Sequence, residues 1–227
     1  MDTCMRPEQC FASSDMYQVL GCFVQQTTPD LAKALFSGVL SSDVKAILCE
    51  MGFAQGQADS LLGKLDEAII RTAPDEDGLF HALRKDYTHL FSNPTFSAMT
   101  LFVGRMDGTD KNAKGNQIFF GRTIPGLKAF YERVGFESSI RPALREDHVA
   151  VVFELMQILR KNQGIALREG DAAAFDEITS SLESFVSNHM RSWAEGFFLD
   201  MGKHANEGVY AAMGSIGAAF VNGDFVQ

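Results

Sequence analysis

The residues best equipped for chemistry stand together as Glu146-Asp147-His148, directly ahead of the apolar run Val149–Phe153. Two carboxylates and an imidazole at the mouth of a helix offer acceptors to a cationic group, or a cap to the unpaired N–H groups of the first turn. Asp147, Glu154 and Lys161 recur every seven residues, which on a continuous helix puts them on one narrow stripe with Gln157. Two readings stand side by side. In one the corner binds a partner; in the other Asp147 is an N-cap and His148 a partly buried residue at the mouth of the core. Tyr87, Leu90 and Phe91 share a second face, and His189, Trp193 and Phe197 follow one another at i, i+4 steps. Faces of this kind are ordinarily core, with Trp193 needing an acceptor for its indole N–H.

Enzyme signatures fail one by one. The stretch from Gly121 to Lys128 has the glycines of a phosphate loop, but Leu127 occupies the lysine position of GxxxxGK[ST] and Pro125 removes an amide. Asp107–Asn112 lacks the ligand order and closing Glu of an EF-hand. His81, His89, His148, His189 and His204 form no HxxxH or HExxH pair, and no Gly-x-Ser-x-Gly elbow occurs. No catalytic residue and no metal-ligand set is assigned. An acid–base or phosphate-facing role for Asp147, Glu154 and His148 is the enzymatic alternative.

Helices must position these groups. Pro29, Pro74, Pro94, Pro125 and Pro142 fall between periodic segments. Apolar faces at helical spacing predict helices over about 14–25, over 29–36 behind a Thr28 cap, and from a Ser42 or Asp43 cap to Gly52. Further ones carry Leu61, Leu62, Leu65, Ile69 and Ile70, and then Leu79–Phe91 after the acidic run 75–77. Short helix 126–134 precedes the nearly all-apolar one from Glu146 or Asp147 to about Asn162, expected to be the central buried element. Two helices, with a break near Asn188, cover about 171–203, and a last one covers about 206–221. Met99–Val103 is a weak strand candidate. The expectation is one all-α domain over 1–227 with about nine or ten helices, and a flexible loop or hinge near 105–116 that suits a monomer or a segment-swapped dimer.

Composition narrows the partners. The chain has 227 residues, 19 Phe, 10 Met, one Trp, and 20 basic against 29 acidic residues for a net charge of −9. A phosphate-backbone binder needs clustered Lys and Arg, so nucleic acid is not expected as partner. A cationic peptide or protein suits the balance better. Cys4, Cys10, Cys22 and Cys49 have neither CxxC spacing nor a disulfide framework. Cys22 and Cys49 are expected to pack as small hydrophobes. No apolar run approaches the roughly 20 residues of a membrane span, and the first residues lack the apolar core of a signal peptide. A reduced, cytoplasmic protein without stable membrane insertion is expected.

In order and spacing the segments resemble the TorD/DmsD-type chaperones of redox-enzyme maturation. The matching pieces are Asp86–Phe91 with Pro94, Phe120-Gly121, Phe130-Tyr131, Gly135-Phe136, Glu146-Asp147-His148, then His189, Trp193, Phe197 and Tyr210. The resemblance runs from about Leu79 to Phe220 and implies an all-helical cytoplasmic chaperone, not an enzyme. Such a protein binds the twin-arginine signal peptide of a molybdopterin oxidoreductase, and in some members its mature part, until cofactor insertion is complete. It implies signal-peptide-binding roles for Glu146, Asp147 and His148 and for Tyr87, Leu90 and Phe91, with Gly121 in a matching segment. Glu154 joins Asp147 as a carboxylate able to accept arginine bidentately. No cofactor is expected, apart from the weak GTP binding that some relatives suggest. Two features depart from the family pattern: only one proline follows Asn93, and Leu144 or Arg145 replaces an upstream acidic residue. A nucleotide switch and a helical scaffold remain the alternatives.

Overall fold

A computed structural model describes residues 5–92, 98–106, 126–140, 144–206 and 208–225. Eleven α-helices are seen among them and no strand, so the all-α expectation holds, with more helices than the nine or ten expected. Four lie ahead of the aromatic segment: α1 (Pro7–Phe23), α2 (Pro29–Phe36), α3 (Val39–Glu50) and α4 (Gln55–Thr72). Helix α1 starts well before residue 14 because Pro7 supplies the preset φ of a first helical position. Thr28 caps α2 as expected, its hydroxyl accepting the Leu31 amide at 3.3 Å. Helix α3 departs from expectation. Its N-cap is Gly38 at φ +76°, a left-handed conformation open to glycine, so Ser42 and Asp43 lie inside the helix rather than at its cap. In α4, Leu62, Leu65 and Ile69 are buried, but Ile70 is 78% exposed.

Helix α5 (Glu76–Tyr87) is capped by Asp75, whose carboxylate accepts the Gly78 amide at 2.7 Å, and a π-turn at Thr88–Ser92 extends it. Short helices α6 (Val103–Met106) and α7 (Leu127–Arg133) follow. The long helix α8 (Val149–Glu169) buries Val149–Phe153, Leu155 and Met156 almost completely and is the central element. It begins later and runs further than the sequence pattern suggested. Asp171 caps α9 (Ala172–Phe185), a π-turn at Val186–Met190 makes the expected break, and α10 (Ala194–His204) and α11 (Gly208–Asp224) close the chain.

The buried apolar residues form one continuous cluster from Ala12 to Val221. Helix α1 lies along α8, and α10 packs tightly on α11. Glycine permits the second contact: a Cβ on Gly214 would stand 2.6 Å from the Phe198 carbonyl oxygen, and one on Gly217 would enter the Phe198 ring. A buried polar knot ties α1, α8 and α11. The Asp224 carboxylate accepts the Ser13 hydroxyl at 2.6 Å and the Tyr17 hydroxyl at 2.8 Å, and meets Arg160 at 2.9 Å. Arg160 also donates to Gln163 and to the Asp224 carbonyl, so the buried ions hold several partners each, as burial demands. Cys10 is the buried thiol of the described cysteines, whereas Cys22 and Cys49 are exposed, which reverses the expectation for those two.

Candidate functional site

The Glu146-Asp147-His148 corner is built by a turn, not by the first turn of a helix. His148, not Asp147, is the N-cap of α8: its Nδ1 accepts the Ala150 amide at 3.1 Å. Asp147 therefore lies off the helix, and the heptad stripe it was expected to share with Glu154 and Lys161 does not form. The weak strand candidate supplies the support. Phe102 and His148 make a single antiparallel bridge, with Val103 N–H donating to the Asp147 carbonyl and Val149 N–H to the Leu101 carbonyl, both at 2.9 Å.

Asp147 is buried, and its carboxylate is taken. Arg145 Nε and Nη2 donate to its two oxygens at 2.9 and 2.8 Å, the bidentate geometry that distinguishes arginine from lysine. The same guanidinium lies 4.6 Å from the centre of the Phe102 ring, and that of Arg105 lies 5.5 Å from it. A cation so placed is attracted by the ring face. His148 meets Phe102 edge-on, with ring centres 5.7 Å apart. Burial lowers the His148 pKa to about 4, so the imidazole is neutral at neutral pH and Nδ1 keeps its lone pair for the cap.

The other expected residues are also occupied by the fold. Both hydroxyls of Ser138 and Ser139 donate to Glu154, and the Ser139 amide adds a bond at 2.8 Å. The Tyr131 hydroxyl donates to the Glu146 carbonyl at 3.0 Å. Leu90 is completely buried and Tyr87 nearly so. Phe91, half-buried, packs between Tyr87 at 5.4 Å, Phe197 at 6.2 Å and Tyr210 at 6.3 Å. Asp86 accepts the Asn206 amide at 2.9 Å and holds this end of α5 to the α10–α11 turn. The two clusters are joined by 98–103, since the amides of Ala98 and Met99 donate to the His89 and Leu90 carbonyls. Trp193 finds its acceptor in the carbonyl of His189, a residue of the π-turn, across the turn that precedes α10. Gly121 lies outside the described residues, as do all but Arg105 and Met106 of the 105–116 segment.

A family model for the nitrate reductase delta subunit matches residues 54–199, nearly two thirds of the chain. The chain belongs to this family. No curated protein and no solved structure matches it. The nitrate reductase delta family comprises redox-enzyme maturation chaperones of the TorD kind that assist molybdoenzymes; they are not catalysts. Membership implies a molybdoenzyme catalytic subunit as partner. The match spans α4 to α10 and so contains the 145–148 corner, Phe102 and the aromatic end of α5. It starts earlier than the resemblance read from the sequence and ends before α11. Among the described residues, no group of three His, Cys, Asp or Glu is placed to hold a metal ion, and no helix is long and apolar enough to cross a membrane.

Sequence reasoning missed Arg145 and Phe102. Arg145 figured only as a departure from an acidic pattern, yet an arginine two residues before a buried aspartate is the local signal for an internal pair. Phe102 carried no signal beyond the weak strand.

Proposed function

We propose that this chaperone acts in the cytoplasm on the twin-arginine leader of a molybdoenzyme, and that the Asp147–Phe102 corner receives one of the leader's arginines. The observation that carries the reading is the way Asp147 holds Arg145: a buried carboxylate making two hydrogen bonds to a guanidinium stacked over an aromatic ring. The Arg145 side chain is about one-third exposed, so it stands at the entrance, where an incoming guanidinium can replace it. Arg105 beside the same ring adds a second cation, and the pair resembles two adjacent arginines. Glu146 and His148 fix the turn, while Tyr87, Leu90 and Phe91 form the packed wall to which 98–103 is tied. Holding a peptide asks for no nucleophile.

The test is a synthetic peptide carrying Ser-Arg-Arg and an apolar run, followed by calorimetry and by thermal melting. Wild type binds it, and a Lys-Lys version binds more weakly. Arg145→Ala melts lower than wild type on its own, because Asp147 loses its partner, and the peptide raises its Tm by more than it raises that of wild type. Asp147→Asn with retained helicity loses affinity. Equal binding of native and scrambled peptides, or equal Tm gains in wild type and Arg145→Ala, refutes the proposal.

A further inference from the structure

A groove of about 620 Å³ lies between α3 and α4 at the end of α2. Its floor is apolar, with Leu35, Leu62 and Ile69 buried. Its rim sets exposed apolar side chains among Lys45, Asp59 and Asp66: Phe36 is 42% exposed and Ile70 78%. Val39, 56% exposed, is the next residue after the lining Gly38. Beyond these three, Leu199 is the other large apolar side chain left exposed among the described residues. Gly63 keeps the middle open, since a Cβ there would meet nothing within 4 Å.

One polar feature says what fits. On α4, Asp59, Gly63, Asp66 and Ile70 follow at i, i+4, i+7 and i+11, which lays two carboxylates and an apolar residue along one stripe. Asp59 pairs with Lys45 at 2.6 Å. Asp66 is exposed and has no ion pair among the described residues.

We infer that this groove takes a cationic amphipathic helix from the body of the client enzyme, with its apolar face on Phe36, Ile70 and the Gly63 gap and a lysine or arginine against Asp66. A second copy of the chain would bring Asp59 and Asp66 with only Lys45 to the same rim, an excess of negative charge that opposes self-association there. None of residues 145–148 lines the groove, so it is a second surface and goes beyond the leader site proposed above. An apolar helix face laid in such a groove is a recurrent recognition mode.

The probe is a capped, fluorescein-labelled helical peptide of leucines and lysines, with a glutamate-for-lysine peptide as control, measured by anisotropy at several salt concentrations. Wild type binds the lysine peptide and not the glutamate one. Ile70→Asp and Gly63→Leu, both at helix positions with room for the new side chain, weaken binding tenfold or more. Asp66→Lys weakens it and flattens the salt dependence. Arg145→Ala leaves it unchanged. Equal binding of both peptides, or unchanged affinity in Ile70→Asp and Gly63→Leu, overturns the inference. So does concentration-dependent dimerisation by light scattering that Ile70→Asp abolishes, because the occupant is then a second copy. Failure of the Ser-Arg-Arg peptide to bind wild type removes the leader proposal and leaves this result standing.

Discussion

Protonating His148 should unfold the corner on which α8 begins. Its imidazole is 5% exposed, serves as the cap acceptor, and has its pKa lowered by burial to about 4. In the unfolded chain the same group titrates near 6.5. Between these values the unfolded state binds more protons than the folded one. Stability from this group is therefore complete above about pH 6.5 and is lost as pH falls toward about 4. The whole shift is worth about 3 kcal/mol, of which about 2 kcal/mol is gone at pH 5. The assay is urea unfolding followed by circular dichroism, on wild type and His148→Asn, from about pH 8 to pH 4. Asparagine keeps a cap acceptor and does not titrate, so carboxylate effects common to both chains cancel in the difference. Wild type should lose about 2 kcal/mol more than the variant between pH 7 and pH 5. Parallel stability curves through that window would refute the reasoning, since the imidazole would then not be neutral and buried.

Other consequences are open to simpler measurements. Asp224→Ala leaves Arg160 buried without its counter-ion and strips Ser13 and Tyr17 of their acceptor; chemical denaturation should show a loss of about 3–5 kcal/mol. Gly214→Ala drives a methyl against the Phe198 carbonyl oxygen and should cost at least about 1–3 kcal/mol. Gly196→Ala, in α10 with nothing within 4 Å, should instead stabilise by about 0.5–1 kcal/mol. Thiol labelling of the native protein mapped by mass spectrometry should modify Cys22 and Cys49. It should spare Cys10, which is buried and has its pKa raised to about 11.

Helices, the cap at Thr28, the acidic run 75–77 at the start of α5 and the central place of α8 were legible in the sequence because each follows from local periodicity, from a side chain three residues from its amide or from charge at a helix end; the caps at Asp75 and Asp171 emerge only in the structure. What failed was long-range or cooperative. A heptad spacing of Asp147, Glu154 and Lys161 describes a stripe only if the helix includes residue 147, and the bridge between Phe102 and His148 decides that it does not. Ile70 has the right spacing for the α4 core, yet sits one position off the buried line, and a helical pattern alone does not say where the apolar face ends. Arg160 and Asp224 are far apart in sequence, and nothing local marks them as a pair. The candidate site was legible as residue types and illegible as availability. The carboxylates of Asp147 and Glu154 are present as expected, and each has been claimed by a neighbour that periodicity does not reveal.

That occupancy bears on how a chaperone of this family could hold a client and still let it go. If a leader arginine takes the place of Arg145 on Asp147, the buried carboxylate keeps a bidentate guanidinium before and after. The exchange avoids the several kcal/mol that a bare buried charge costs, but for the same reason it yields little net affinity. Affinity must then come from apolar contact elsewhere, on the order of 25 cal/mol per Å² buried. If the corner receives a leader arginine, a lysine in its place would make only one of the two bonds and would leave Arg145 where it is, so the preference for arginine there is no larger than the net gain of the exchange. An internal arginine in the proposed site would thus limit both selectivity and strength at the corner, which keeps release easy and leaves most of the affinity to apolar contact.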